Sequence, residues 1–249
     1  ATVTFNRPES ANALNSELGE EVIRALEEIE KDENVRALVF TGAGRVFSAG
    51  GDFKDMIHLQ SASPMEIDRG LRMFLSIPMK IRNLGIPVIA KINGDAMGSA
   101  CCIALACDLR IASEKARFGL VFTRVGLSGA DAGLSYFLPR VVGLGKACEL
   151  LLTGAVIDAK EAECIGLVNK VVPPDEPNEV VAVLANRLAK GPTFALKMTK
   201  KALYNSLDND VATQLDFEAY AQSLCFQTED HKEGVKAFLE KRKPVFKGK

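Results

Sequence analysis

Two apolar periods alternate along the first two thirds of this chain, and one of them takes over in the last third. Short runs rich in β-branched residues, bounded by turn formers, predict strands over residues 2–6, 36–41, 87–92, 108–112 and 168–172. Between them the apolar positions recur every three to four residues. Leu18, Val22, Ala25, Leu26 and Ile29 share one face of a helix that Asn15 or Ser16 caps and that runs to Lys31. A second helix is predicted over 64–83 and a third from Gly98. After Pro173 the strands stop, and helices are predicted over 179–190, 192–206, 210–224 and 229–241, separated by Gly191-Pro192, Asp208-Asn209 and Gln227-Thr228. Pro173, Pro174 and Pro177 mark the seam. The organisation expected is therefore an α/β core over 1–173 and a helical region over 174–249. No sequence repeat or low-complexity stretch interrupts it.

Composition narrows the class. With 249 residues, 47% of them hydrophobic, the chain can bury one large α/β core. Its 31 Lys plus Arg against 32 Asp plus Glu leave a net charge of -1, which argues against the one-sided basic surface of a nucleic-acid binder. No apolar run approaches the roughly 20 residues that span a bilayer, and the first five residues read as a strand rather than a targeting peptide. The expectation is a soluble cytoplasmic protein, or an organelle-matrix protein if a transit peptide was removed, with no membrane partner. The six cysteines lie on apolar helical stretches without metal-ligand spacing, and the two histidines, His58 and His231, are far apart. No metal centre is expected.

The candidate chemistry lies in two glycine-rich turns, Phe47-Ser48-Ala49-Gly50-Gly51-Asp52-Phe53-Lys54 and Asn93-Gly94-Asp95-Ala96-Met97-Gly98-Ser99-Ala100. Each can present a bare backbone N–H to a ligand oxygen. Gly51 has no Cβ to hold a ligand off, and the N–H of Ser99 opens an apolar helix whose dipole adds positive potential. Two such donors form an oxyanion hole, worth about 3 kcal/mol per donor to a carbonyl oxygen that becomes an anion. Either turn alone reads better as a plain strand-to-helix connection; the pair together favours the hole.

The order Asn6-Arg7-Pro8, Asn12-Ala13-Leu14, Phe47-Ser48-Ala49-Gly50-Gly51-Asp52, Asn93-Gly94, Cys107-Asp108, Leu167-Val168 and Glu240-Lys241-Arg242 resembles the enoyl-CoA hydratase/isomerase family, the crotonase superfamily, over nearly the whole chain. The resemblance implies a spiral of ββα units followed by a helical trimerisation region. It also implies a homotrimer or dimer of trimers that binds acyl-CoA thioesters, with coenzyme A as part of the substrate and no separate cofactor. By the same resemblance Gly51 and Ser99 carry the hole N–H groups, although Ser99 stands where glycine is usual. Ala49 and Asp52 would border the adenine pocket and Lys54 would reach a phosphate, with Arg45 a weaker candidate. A solvated surface role fits Lys54 equally well. Phe238 and Lys241 match a helix that in the family closes over a neighbouring subunit's CoA.

The departures from that pattern concern proton transfer. Family hydratases use two glutamates, and on this resemblance their positions fall at Cys102 and Phe122. A buried thiol is a poor base at neutral pH, and phenylalanine moves no proton. One acid remains in the region, Asp131, in a segment that resembles the family's Asp-Ala-Gly loop but is one residue longer before the aspartate. A single carboxylate suits a 1,3-proton shift through an enolate, provided that Phe122, Leu127, Leu134 and Phe137 raise its pKa by desolvation. The alternative is that Asp131 caps a helix beginning near Ala132, which would lower its pKa. Asp95, beside the second turn, is a lesser candidate that reads rather as a solvated turn residue. Cys102 as a nucleophile lacks a nearby histidine, and Tyr136 would orient substrate, bond Asp131 or simply pack. Met56, Cys102, Phe122 and Tyr136 are the expected acyl-pocket residues, with Ile57, Leu71, Met73 and Phe74 walling the rest. Three readings follow: an enoyl-CoA isomerase with Asp131 as shuttle, a hydratase or hydrolase in which Asp131 activates water, and a non-catalytic acyl-CoA-binding or interaction protein.

Overall fold

A computed structural model describes residues 1–174 and 176–249; Asp175, inside the proline seam, lies outside the described residues. Among the described residues eight strands are formed: β1 Thr2–Phe5, β2 Leu38–Gly42, β3 Val88–Ile92, β4 Ala96–Met97, β5 Leu109–Ser113, β6 Arg117–Gly119, β7 Val156–Asp158 and β8 Lys170–Val172. The helices of the first part are α1 Ser16–Lys31, α2 Phe53–Leu59, α3 Pro64–Asn83, α4 Ser99–Ala106, α5 Leu134–Val142, α6 Leu144–Thr153 and α7 Ala159–Cys164. Those of the last part are α8 Pro177–Ala189, α9 Thr193–Asn205, α10 Val211–Phe226 and α11 Glu229–Leu239. The five strands expected from β-branched runs are all present within a residue or two at each end. They form one sheet in the order β1-β2-β3-β5-β8, and every neighbouring pair is parallel.

Parallel neighbours require crossovers, and helices supply them. α1 links β1 to β2, α2 and α3 link β2 to β3, and α4 lies between β3 and β5. Helices therefore cover both sheet faces, as the near-continuous apolar character of the strands demands. Phe5, Leu38, Phe40, Val88 and Ala90 face the main core under α1, α3 and α4, while Val39, Ile89 and Ile111 point the other way onto Val181 of α8. α4 is apolar all round, with residues 100–106 buried, so it lies inside the core and carries the half-buried Ser99 at its beginning.

Local rules set the helix starts. Asn15 caps α1 by accepting from the Leu18 N–H at 3.0 Å, and Ser63 with Glu66 forms a reciprocal capping box on α3. A second sheet, β4-β6-β7, and helices α2, α6 and α7 have no counterpart in the sequence expectations. Strands of two or three residues are too short to show a period. One of the C-terminal helices, α9, is bonded into the core. The buried Lys200 on α9 reaches Asp108 at 2.9 Å and the Ile81 and Ile86 carbonyls at 3.2 and 3.1 Å, and Arg36 donates to Thr193 at 2.6 Å. Among the described residues no helix is long and apolar enough to cross a membrane.

Candidate active site

The two glycine turns are fastened to each other by backbone bonds. The Phe47 and Ser48 N–H groups both donate to the Asp95 carbonyl at 3.1 Å, and the Met97 N–H donates to the Ser48 carbonyl at 3.0 Å. The contact is close enough to require glycine. A Cβ on Gly50, whose φ is +85°, would stand 2.5 Å from the Met97 carbonyl oxygen, and one on Gly94 would stand 2.0 Å from that of Arg45. Two buried or half-buried asparagines hold the approach to the first turn. The Asn12 carboxamide donates to the carbonyls of Ala43, Val46 and Phe47 at 2.9, 3.0 and 3.2 Å, and Asn93 donates to Gly44 and Val46 at 3.0 and 3.2 Å. Sequence reasoning quoted both asparagines only as part of the family pattern; their role as crosslinks of one loop is new.

Within this frame two N–H groups are left over. The Leu14 N–H donates to the Gly50 carbonyl at 2.7 Å and the Asp52 N–H to the Leu14 carbonyl at 3.1 Å, so the intervening Gly51 N–H has no place in that pairing. The Ser99 N–H is at the first position of α4, where no earlier turn can accept it. Among the described residues neither group donates to a protein acceptor. Two unpartnered donors on interlocked turns meet one requirement of an oxyanion hole, that its donors be free of protein acceptors.

Asp131 approaches this frame from the loop before α5. The Ser99 hydroxyl donates to its Oδ2 at 3.4 Å, and the Cys102 thiol lies 3.6 Å from its carbonyl oxygen. Ser99 and Cys102 are three residues apart on α4, so one helix face meets both the side chain and the backbone of Asp131. Burial is the largest influence on the carboxyl group and raises its pKa above the ordinary 3.8, against the lowering hydrogen bonds from Ser99 and the Ala132 N–H. The helix-cap alternative does not hold: α5 starts at Leu134, its cap is Gly133, and no side chain caps it. Ala132 and Gly133 both have positive φ, +43° and +87°, so the loop turns sharply right after the carboxylate.

The other expected residues divide. Phe122 is buried, with its ring 3.7 Å from where a Gly98 Cβ would be, and the Met56 methyl lies against Gly51. The Cys102 thiol is pushed well above its ordinary 9.0, by burial first and by the Asp131 charge second, which removes it as a base. Tyr136 does not bond Asp131. Its hydroxyl donates to the Asp208 carboxylate at 2.8 and 3.0 Å, while Arg140 stacks 3.6 Å from its ring centroid. Nor is Asp95 solvated. Its carboxylate accepts from the Arg117 backbone N–H and Nε at 3.1 Å and from the far guanidinium nitrogen at 2.5 Å, tying the second turn to β6.

Among the candidates for CoA contact, Asp52 is already engaged. It caps α2 by accepting from the Lys54 N–H at 3.0 Å, the main reason its pKa lies below the ordinary value, and it pairs with Arg7 at 3.1 Å. Ala49 and Lys54 are exposed on either side of it. Phe238 is 82% exposed on α11 and Lys241 follows that helix with φ +53°, and neither is brought to the turns within this chain. Phe238 instead lines an open apolar groove of about 970 Å³ between α9, α10 and α11. Among the described residues no group of three His, Cys, Asp or Glu side chains is arranged to hold a metal ion.

Comparison with known proteins gives a consistent picture. The family model for enoyl-CoA hydratase/isomerase matches residues 1–249. The chain is 40% identical over 245 residues to the short-chain-enoyl-CoA hydratase of Clostridium acetobutylicum, covering 98% of this chain and 92% of that protein. It is 37% identical over 251 residues to the 1,2-epoxyphenylacetyl-CoA isomerase of Escherichia coli, covering 100% of this chain and 95% of that one. The solved enoyl-CoA hydratase of Bacillus anthracis superposes with a TM-score of 0.94 at 36% identity, covering 100% of this chain and 95% of that one.

Proposed function

The chain belongs to the enoyl-CoA hydratase/isomerase family and has the α/β crotonase fold with C-terminal helices, and from that premise we propose that it shifts the double bond of an enoyl-CoA thioester. The observation that carries this reading is one half-buried carboxylate, Asp131, beside two unpartnered backbone donors on interlocked turns. In the mechanism the thioester oxygen lies on the Gly51 and Ser99 N–H groups. Asp131 takes a proton from the α-carbon of a 3-enoyl-CoA, the negative charge moves onto the thioester oxygen as a dienolate, and the same carboxyl group returns the proton to the γ-carbon. The product is the 2-enoyl-CoA, and Asp131 ends as it began. The hole contributes because the charge it faces exists only after the proton leaves. The raised carboxyl pKa contributes because a more basic carboxylate takes a carbon-bound proton more readily.

The relatives named for hydration and for isomerisation stand at similar distances, so the groups at the site have to separate the reactions. Conventional hydration in the family uses two glutamates. The positions that correspond to them by resemblance are Cys102 and Phe122, which supports a single-carboxylate reaction. Hydration or hydrolysis with Asp131 activating a water is the second reading, and acyl-CoA binding without turnover is the third.

For the rest of the substrate, Ala49, Asp52 and Lys54 border the CoA path, Asp52 through its backbone because its carboxylate is paired. Met56, Cys102, Phe122 and Tyr136 bound the acyl path. Residues 1–173 form the catalytic unit, and 174–249 serve self-association into a trimer or dimer of trimers. In that assembly Phe238 and Lys241 cover a neighbour's CoA. The experiment is to offer 3-enoyl-CoA and 2-enoyl-CoA separately and follow both products by chromatography. Conversion of 3-enoyl to 2-enoyl-CoA is expected; turnover of the 2-enoyl substrate alone, to a 3-hydroxy product, overturns the isomerase reading.

A further inference from the structure

Ser99 brings a second functional group to the site that its backbone role does not use. A glycine there would supply the same N–H. The serine adds a hydroxyl, and that hydroxyl is directed at Asp131, 3.4 Å from Oδ2. We infer that the site also cleaves thioesters, by acyl transfer to the Ser99 hydroxyl with Asp131 as the base. This rests on the reading of Asp131 and of the two-donor hole given above.

Three features support it. First, a nucleophile whose own N–H is one of the hole donors stands beside the carbonyl carbon whenever the carbonyl oxygen sits on that donor, as in the serine hydrolases. Ser99 meets this condition at the start of α4, where, among the described residues, neither its N–H nor that of Gly51 has a protein acceptor. Second, the nucleophile and base are within loose hydrogen-bond reach, as is common before substrate tightens such a site. Third, the base is itself held by a third group. The Cys102 thiol, one turn along α4, contacts the Asp131 carbonyl, and the loop after Asp131 turns back through two positive-φ residues. No histidine competes for the role, since His58 lies on the exposed side of α2 and His231 packs on the Phe226 ring 4.7 Å away. The titratable and polar groups facing Asp131 are the Ser99 hydroxyl, the Cys102 thiol and the Ala132 N–H.

The step balances with water as the added reactant. The Ser99 Oγ–H bond breaks and its proton goes to Asp131, while the Oγ–C bond forms and the carbonyl electrons move to the oxygen on the hole. The C–S bond then breaks, and Asp131 gives the proton to the departing sulfur, releasing the CoA thiol. Water attacks the acyl-serine, yields a proton to Asp131, and the C–Oγ bond breaks. Serine takes the proton back and the free acid leaves. The acyl groups that isolate this reaction are those with no α-hydrogen, because no enolate can form from them.

The test uses the full chain with benzoyl-CoA and pivaloyl-CoA, an aromatic and an aliphatic thioester without α-hydrogens, beside 3-enoyl-CoA. Free thiol is followed with a chromogenic disulfide, and the quenched protein is weighed intact and after digestion. The expected result is thiol release from at least one of the two, with one acyl group on the peptide carrying Ser99. Ser99→Gly is expected to lower thiol release by about a hundredfold, with Ser99→Thr retaining part of it. Isomerisation of 3-enoyl-CoA without thiol release from either α-blocked thioester overturns this inference and leaves the isomerase reading standing. Thiol release with an acyl-Ser99 peptide and no isomerisation does the reverse. Release undiminished in Ser99→Gly also overturns the inference, because water would then be the nucleophile.

Discussion

Asp131 is half-buried and, among the described residues, has no cationic partner. Burial raises its pKa, and the two hydrogen bonds it accepts only partly offset this. The charge is therefore costly to hold, and a group in that condition is a better base than a surface aspartate. Asp131→Asn keeps the shape and removes the base, so isomerisation should fall by about a thousandfold while acyl-CoA binding, followed by calorimetry, stays within a few fold. The pH profile has a definite sign. If Asp131 is the base it works as the carboxylate, so kcat/KM should be constant above its pKa and fall as pH drops through it, with the midpoint above the ordinary 3.8. A limb at or below the ordinary carboxylate value would mean that another group titrates. Cys102 gives the opposite expectation. Its thiol is neutral at working pH, so Cys102→Ala should cost stability through a small cavity and leave the pH profile where it was. The two glycine turns and the Asp131 loop were legible in the sequence because each is a short contiguous pattern, and the structure fastens the turns together and brings Asp131 to Ser99. The partners of Asp95 and Tyr136 were not, because Arg117 is 22 residues and Asp208 72 residues away in sequence, and no period or turn rule connects them.

The loop that carries Asp131 is braced by α5, and α5 is in turn braced by α3 and α9. The Phe137 ring fills the space beside Gly133, where a Cβ would come within 2.5 Å of it. Arg82 of α3 lies between Phe137 and the Tyr204 ring of α9, 4.3 and 3.9 Å from the two centroids. Its far nitrogen donates to the Leu105 carbonyl at 3.3 Å, while its buried Nε has no partner, so stacking rather than charge pairing is its main contribution. Tyr204 in turn bonds Asp108, which also holds Lys200. A column therefore runs from the active-site loop to the C-terminal helices. Arg82→Ala should lower stability by about 1–3 kcal/mol in thermal or denaturant unfolding, and lower kcat several-fold with little change in KM. Arg82→Lys should not restore kcat, because an ammonium cannot stack flat between two rings; full recovery in the lysine variant would count against the brace. At this scale the sequence was most informative where a period had room to show itself. α3 falls on 64–83 as expected, and the five parallel strands lie where β-branched runs placed them. β4, β6 and β7 are two or three residues long, and α2 follows directly on a glycine turn, so none of them presents a full period. α6 has two whole turns and was still not anticipated, since Gly143 and Gly154 flank it, Gly145 lies in its first turn, and the three read as loop.

Across the whole molecule, apolar surface is distributed unevenly, and the excess lies on the C-terminal helices. Leu203, Leu215, Val235, Phe238 and Leu239 are exposed along the groove between α9, α10 and α11. Isolated exposed leucines are ordinary, but a continuous apolar groove of this size is costly to leave in water. The terminal strap is nevertheless held in place beside it: Arg242 pairs with Glu233 at 2.6 Å, and the Asp230 carboxylate accepts from the Lys247 and Gly248 N–H groups at 2.6 and 2.8 Å. An ordered apolar surface without an intramolecular cover fits a face that meets another copy of the chain. On that reading Phe238, 82% exposed on α11 beside the groove, and Lys241 would act across the contact between copies. Sedimentation should therefore give a trimer or a dimer of trimers. Leu215→Asp, which places a charge in the groove and touches no turn residue, should shift the protein toward monomer. If Phe238 and Lys241 cover a neighbour's CoA, that monomer should show a raised KM for acyl-CoA with a smaller change in kcat, because the hole and Asp131 lie within one chain. A wild-type protein that sediments as a monomer with full activity would show that the site needs no second copy, and the exposed groove would then require a different partner.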